Sequence, residues 1–202
     1  MIVDPSSTAP LNIYKLLVGV VVPRPIAFVS TISADGVANL APFSFFTVAS
    51  ANPPVLCFTA SFRDPMKDTL LNVRATKEFV VNIVSEEFAA KMNITSGEYP
   101  HGVDEFAESG LTPAPSDLVG PPRVKESHVN MECKLLQTIE VSKQPLGGTL
   151  ILGEVVRFHI DDAIVEEFRI DPDKLAAVGR MAGNTYAKTK DRFDLIRPQI
   201  KK

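Results

Sequence analysis

The chain is predicted to be mainly β with peripheral helices, on three observations. Asp35-Gly36 separates two short apolar runs, Ile26 to Ile32 and Val37 to Ala41, and this dipeptide accepts the positive φ angles of a tight hairpin. Val55 to Ala60 and Glu78 to Val84 are short runs rich in apolar and β-branched residues, the composition of buried strands. Two longer strand-like runs, Val124 to Ser142 and Thr149 to Ile160, flank Gln144-Pro145-Leu146-Gly147-Gly148, a hairpin connection by composition.

Taken in order, residues 11–22 read as a short helix passing into a strand. The strand from Val37 meets Pro42, which has no N–H to donate, so pairing should stop there or reach a sheet edge. The backbone from Ala41 to Phe46 is then free for something flat and polar-edged. Phe43, Phe45 and Phe46 beside it could equally be ordinary core, and the residues alone leave both readings open. A turn at Asn52-Pro53-Pro54 precedes the next strand. Asp64-Pro65 carries a helix-start signal, Asp64 as N-cap and Pro65 as first helical residue, with Met66 to Ala75 as the helix. Its free N–H groups, with Arg63, Lys67 and Thr69, form a donor set suited to a phosphate. Asp68 opposes this unless it faces away, and a plain capped surface helix is the alternative. Ser85-Glu86-Glu87 caps a short helix from Phe88 to Ile94.

From Thr95 to Val124, Gly and Pro break every pattern except a turn of helix at Asp104 to Ser109. A loop this long in a compact domain usually has a function; covering a pocket and crossing a dimer interface both fit. Tyr99 and His101 could touch a bound ring from outside. Asp171-Pro172 starts a short helix near Asp173 to Val178, and the segment Gly179 to Tyr186 is flexible and basic, by itself a glycine-rich turn.

Composition bounds the function. The chain of 202 residues suits one domain, residues 1–202, with residues 11–22 as lead-in, 95–124 as loop excursion and 171–202 as C-terminal helix and tail. It is 45% hydrophobic and 22% charged, with net charge −3, which gives no reason to expect nucleic acid or an anionic membrane as partner. The N-terminus lacks a signal-peptide pattern, and the apolar stretch Leu16 to Val22 is far short of the roughly 20 residues of a membrane helix, so a cytoplasmic location is the expectation. Cys57 and Cys133 lie inside apolar runs and read as reduced thiols; with no CxxC pair, no metal site is expected. HExxH, GxSxG, GxxxxGK[ST] and GxGxxG are all absent.

The ordered set RPIAFVST, DG, NLAPFSFF, PPVLCF, KDTLLN and EFVVNIV resembles the flavin reductase-like family of FMN-binding split β-barrels. The likeness continues through GVDEFAESGLT, PPRV, MECKL, ILGEVV and GRMAGNTY, covering nearly the whole chain. The resemblance implies a split β-barrel with FMN at a homodimer interface. It implies that Asn39, Ala41, Pro42, Phe43, Ser44, Phe45 and Phe46 line the isoalloxazine, that Ser61, Arg63, Lys67, Asp68 and Thr69 surround the ribityl chain and phosphate, and that Arg180 and Tyr186 contact the flavin. NAD(P)H as co-substrate, a small-molecule electron acceptor and a monooxygenase partner are further expectations. One departure stands out. Two-component reductases of this fold commonly carry Gly-Asp-His near the nicotinamide, where this chain has Gly153-Glu154-Val155. His159 cannot substitute, since residues 155 and 159 share a face but lie about 13 Å apart at the usual strand rise. Three readings follow: an FMN-dependent oxidoreductase, an FMN-binding electron carrier without turnover, and a flavin-free interaction domain, against which Arg63, Lys67 and Thr69 together argue.

Overall fold

The computed structural model describes residues 1–200. In chain order the elements are α1 (Pro10–Val20), β1 (Ala27–Ile32), β2 (Ala38–Phe43), β3 (Phe46–Ala51), β4 (Pro54–Ser61), α2 (Asp68–Thr76), β5 (Glu78–Ile83), α3 (Ala89–Ile94), α4 (Glu105–Ser109), β6 (Pro113–Ala114) and β7 (Arg123–Val124). There follow β8 (Val129–Ser142), β9 (Gly148–Ile160), β10 (Val165–Glu166), β11 (Arg169–Ile170), α5 (Pro172–Leu175), β12 (Val178–Arg180) and β13 (Tyr186–Lys188).

The main sheet has seven strands in the order β2-β1-β5-β8-β9-β4-β3, antiparallel throughout. Its two edge strands, β2 and β3, are consecutive in sequence and separated only by Ser44 and Phe45. So short a link forces the sheet to curl until its edges nearly meet. The Thr59 N–H donates to the Phe45 carbonyl at 2.9 Å, which carries the β3–β4 ladder into the link itself. The result is a split β-barrel.

Strand alternation divides the apolar residues between two cores. Ala27, Val29, Phe58, Phe79, Val81, Cys133 and Ile151 point into the barrel. Phe28, Leu40, Val84, Phe88, Met92 and Phe106 fill a second core outside it, beneath α3 and α4. The inner core is built on an aromatic line. Phe79 meets Phe58 edge-on at 5.5 Å between ring centroids, and Phe58 meets Phe43 at 5.0 Å. Phe79 also lies hard against Gly153, where an added Cβ would fall 2.2 Å from its Cζ. The glycine of Gly153-Glu154-Val155 is therefore explained by close packing, and Val155 is buried in the barrel.

Several expectations are corrected. Residues 21–22 do not continue α1 into a strand. Pairing does not stop at Pro42, which stays in register opposite Phe28; of the two outcomes expected there, the sheet edge is the one realised, because β2 is an edge strand and a missing N–H costs no ladder bond. Pro65 does not open α2: Lys67 is still extended (φ −62°, ψ 139°), and the helix starts at Asp68 without a side-chain cap. The long strand begins at Val129, and residues 123–124 pair separately with residues 113–114. Asp171 does cap α5, accepting from the Asp173 and Lys174 N–H groups, but the helix is a single turn and Val178 belongs to β12. Gly179 to Tyr186 is a hairpin between β12 and β13.

The 95–124 excursion is held down by buried polar groups. Asn82 accepts from the Val124 N–H at 2.9 Å, Ser30 Oγ donates to the Pro122 carbonyl at 2.5 Å, and Glu132 accepts from the Asp117 and Leu118 N–H groups at 2.7 Å each. Glu132 also bonds His159 Nε2 at 2.5 Å, which places that histidine on the barrel wall.

Candidate functional site

Two adjoining cavities open beside the free edge of β2. One, of about 310 Å³, has as its main polar lining Asn39, Ser61, Arg63, Lys67, Thr69 and Glu105. The other, of about 320 Å³, is bounded by Arg24, Ser44, Met92, Arg180 and Tyr186 among others. Pro42 and Ser96 line both, so the two form lobes of one site.

The first lobe brings two cations, Arg63 and Lys67, together on one wall, with the carboxylates Asp68, Glu98 and Glu105 elsewhere on its lining. The extended segment Phe62 to Lys67 carries Arg63 and Lys67 around it, and the start of α2 presents backbone N–H groups and partial positive charge on the same side. Arg63 Nε is buried without a hydrogen-bond partner. Its guanidinium reaches only Glu98, an exposed side chain at 3.7 Å. Lys67 makes no salt bridge among the described residues, and its Nζ lies 5.4 Å from the centre of the Phe43 ring. Burial, reinforced by Arg63, pulls the Lys67 pKa below its ordinary value. Two cations held together with one orphaned N–H, at a cost in desolvation, fit an anion with several acceptor oxygens.

Asp68 does not oppose that anion. Its carboxylate is turned to the covering loop, where it contacts His101 Nδ1 and accepts from the Gly102 N–H at 3.2 Å. Thr69 Oγ1 donates to Asn39 Oδ1 at 2.8 Å, as does Thr31 Oγ1 at 3.2 Å, and Asn72 Nδ2 supports Thr31 at 3.0 Å. Asn39 Nδ2 in turn reaches both oxygens of Glu105, at 2.8 and 2.9 Å, and the Leu40 N–H donates to the same carboxylate at 2.8 Å. The Asn39 side chain is thus committed to fixing β2 against α2 and α4.

Of the expected site residues, Asn39, Ala41, Pro42, Ser61, Arg63, Lys67, Asp68 and Thr69 line the first lobe, while Ser44, Arg180 and Tyr186 join Pro42 in the second. Phe43, Phe45 and Phe46 line neither. Phe43 is buried on Phe58 and supports Lys67 from beneath, Phe46 packs on the barrel core, and Phe45 is exposed, because the chain leaves the cavity as it crosses from one sheet edge to the other. Tyr99 lines the first lobe with Thr95 to Glu98, so the loop covers the pocket. His101 stands outside both lobes, on Asp68.

Two residues escape the sequence reading. Glu105 looks like a surface residue of a short helix; only its place three residues past Gly102, at the end of a loop long enough to fold back, hints otherwise. Arg24 lies between two prolines, yet it is 6% exposed and ties α1 to the β12–β13 hairpin.

Burial raises the Glu105 pKa above its ordinary value of 4.5, with the Leu40 N–H and Asn39 holding it back. A raised folded-state pKa contributes stability that is full below the unfolded value and is lost as pH rises through the folded value. Thermal unfolding from pH 4.5 upward should therefore show the wild type losing stability relative to Glu105→Gln. Parallel curves would exclude that role.

The model of the flavin reductase like domain matches residues 20–178. An uncharacterized protein of Aquifex aeolicus is 48% identical over 180 residues, covering 88% of this chain and 90% of that protein. Among solved structures, nitrilotriacetate monooxygenase component B from Bacillus cereus superposes with a TM-score of 0.93 at 35% identity, covering 96% of this chain and 98% of that one. The 2-nitrobenzoate 2-nitroreductase NbaA of Pseudomonas fluorescens gives 0.89 at 30%, covering 98% and 96%. Fold and relatives together define a flavin-related oxidoreductase of split-barrel type. The chain belongs to the flavin reductase-like family.

Proposed function

We propose that residues 1–202 act as a single unit that binds FMN in the first lobe, its ring reaching only to the junction with the second, and passes electrons from NAD(P)H through it to a small acceptor. The observation that carries this reading is the convergence of Arg63, with its orphaned Nε, and the desolvated Lys67 on one cavity beside the α2 start. These residues, with Ser61 and the backbone N–H groups at the start of α2, hold the phosphate and the start of the ribityl chain. Asn39 and Ala41 border the path to Pro42 and Ser44, where the ring sits at the junction with one edge toward Arg180 and Tyr186. Bound FMN supplies the redox chemistry. The protein's part is to fix the phosphate, present a rigid β2 edge braced by Glu105, and exclude water with the 95–104 loop. Direct hydride transfer needs no side-chain acid or base, so this role calls for no catalytic dyad.

Exposed Phe45, Val48, Leu136, Ile139 and Val141 on β8, on β3 and just before it support a homodimer. The relative that is a component B of a monooxygenase supports a partner enzyme that uses the reduced flavin. Among the described residues no helix is long and apolar enough to cross a membrane.

A second reading, an FMN electron carrier without NAD(P)H turnover, is favoured by one observation: Gly153, Glu154 and Val155 line neither lobe, and Val155 faces the barrel core. Anaerobic addition of NADH or NADPH to the FMN-loaded protein separates the two. Bleaching of the flavin band within seconds is expected for the oxidoreductase. A band that fades only at the rate of free FMN would leave the carrier.

A further inference from the structure

The second lobe has a charge pattern that phosphate binding in the first does not require. Arg24 is almost wholly buried, yet its guanidinium meets only carbonyls and a hydroxyl. Nη1 donates to the Val18 and Val21 carbonyls at 2.7 Å each, Nη2 to the Met181 carbonyl at 2.9 Å, and Nε to Ser44 Oγ at 3.4 Å. Of the five N–H groups of a guanidinium, one is left over. Lys15 and Arg180 line the same lobe, and no Asp or Glu does. Arg180 is stacked over the Tyr186 ring at 4.5 Å and donates to the Gly183 carbonyl at 2.5 Å, which holds its charge on the lobe's wall. A buried cation without a counter-charge is costly, and two more cations around one cavity of about 320 Å³ add to that cost. Burial pulls the Arg24 pKa below its ordinary value, partly offset by Tyr14, with Arg180 adding a lesser downward pull.

Much of the remaining wall is aromatic and thioether, formed by Tyr14, Tyr186, Met92 and Met181 with Ile26, the side chains against which a planar ring packs. A ligand that answers the whole lobe has one negative charge, a planar apolar body and a size near that of a benzene ring with one substituent. We propose that this lobe is a binding site for a small planar carboxylic acid, aromatic or conjugated, its carboxylate answering Arg24, Arg180 and Lys15 and its ring lying against Tyr186 and Met92. The flavin reading of the first lobe bears on what such an acid does once bound; the binding itself rests on this lobe alone.

The test is calorimetric titration of benzoate, with benzamide as its neutral counterpart, into the full-length protein with and without saturating FMN. Benzoate should bind the FMN-loaded protein at least about 10-fold more tightly than benzamide, since a charge-assisted contact is at stake. Lys15→Gln, an exposed position, should weaken benzoate several-fold and leave benzamide and FMN unchanged. Equal affinities for the two probes would overturn the proposal. So would competitive displacement of benzoate by FMN, which would make this lobe the seat of the flavin ring. If FMN itself fails to bind while benzoate is still preferred, the acid site stands and the flavin reading falls.

Discussion

Replacing Arg63 and Lys67 together by alanine should weaken FMN binding by at least about 100-fold. Each cation is placed to make a charge-assisted hydrogen bond worth about 1.5–3 kcal/mol, and losing two brings the cost to about 3 kcal/mol or more. The same double substitution should leave the ligand-free fold nearly as stable as before. Lys67 is desolvated beside Arg63, so its charge costs stability in the empty site, and Arg63 Nε makes no internal bond that alanine would break. Fluorescence titration of FMN and urea denaturation of the same variant separate the two effects. Unchanged affinity would remove the phosphate assignment, and unfolding of the variant would show instead that these cations serve the fold.

Phe79→Ala should destabilise the protein by about 3–5 kcal/mol, the range for emptying a buried aromatic position. Phe79 is fully buried, meets Phe58 edge-on, and has its ring over the backbone of Gly153. Its removal opens a cavity that β9 cannot close, because β9 is paired on both sides, with β8 and β4. The effect should reach the site, since Phe58 passes the packing on to Phe43 and Phe43 supports Lys67. Urea unfolding of Phe79→Ala against Phe79→Leu measures this. A cost below about 1 kcal/mol, outside the range of aromatic-to-alanine changes, would mean the barrel repacks freely.

Much of the fold was legible because its signals are local. The Asp35-Gly36 turn, the Gln144 to Gly148 connection and the β-branched strand from Glu78 follow from composition alone. What was not legible depends on contacts distant in sequence. The start of α2 slipped from Pro65 to Asp68 because the chain stays extended around a cavity that no local pattern reveals. Phe43, Phe45 and Phe46 share one short run, yet they have different fates as the chain crosses between sheet edges. At the site, the cations Arg63 and Lys67 could be found because they flank a helix start. Glu105 and Arg24 could not, because each owes its role to partners on remote segments: Glu105 to Asn39 and Leu40, Arg24 to Met181.

The central claim is that a phosphorylated flavin is held by its phosphate in the lobe of Arg63 and Lys67. Titrating the flavin-free protein with FMN and with riboflavin, which differ only in that phosphate, tests it most directly. FMN should bind at least about 100-fold more tightly, as expected for two charge-assisted contacts. Equal affinity for the two flavins would contradict the account.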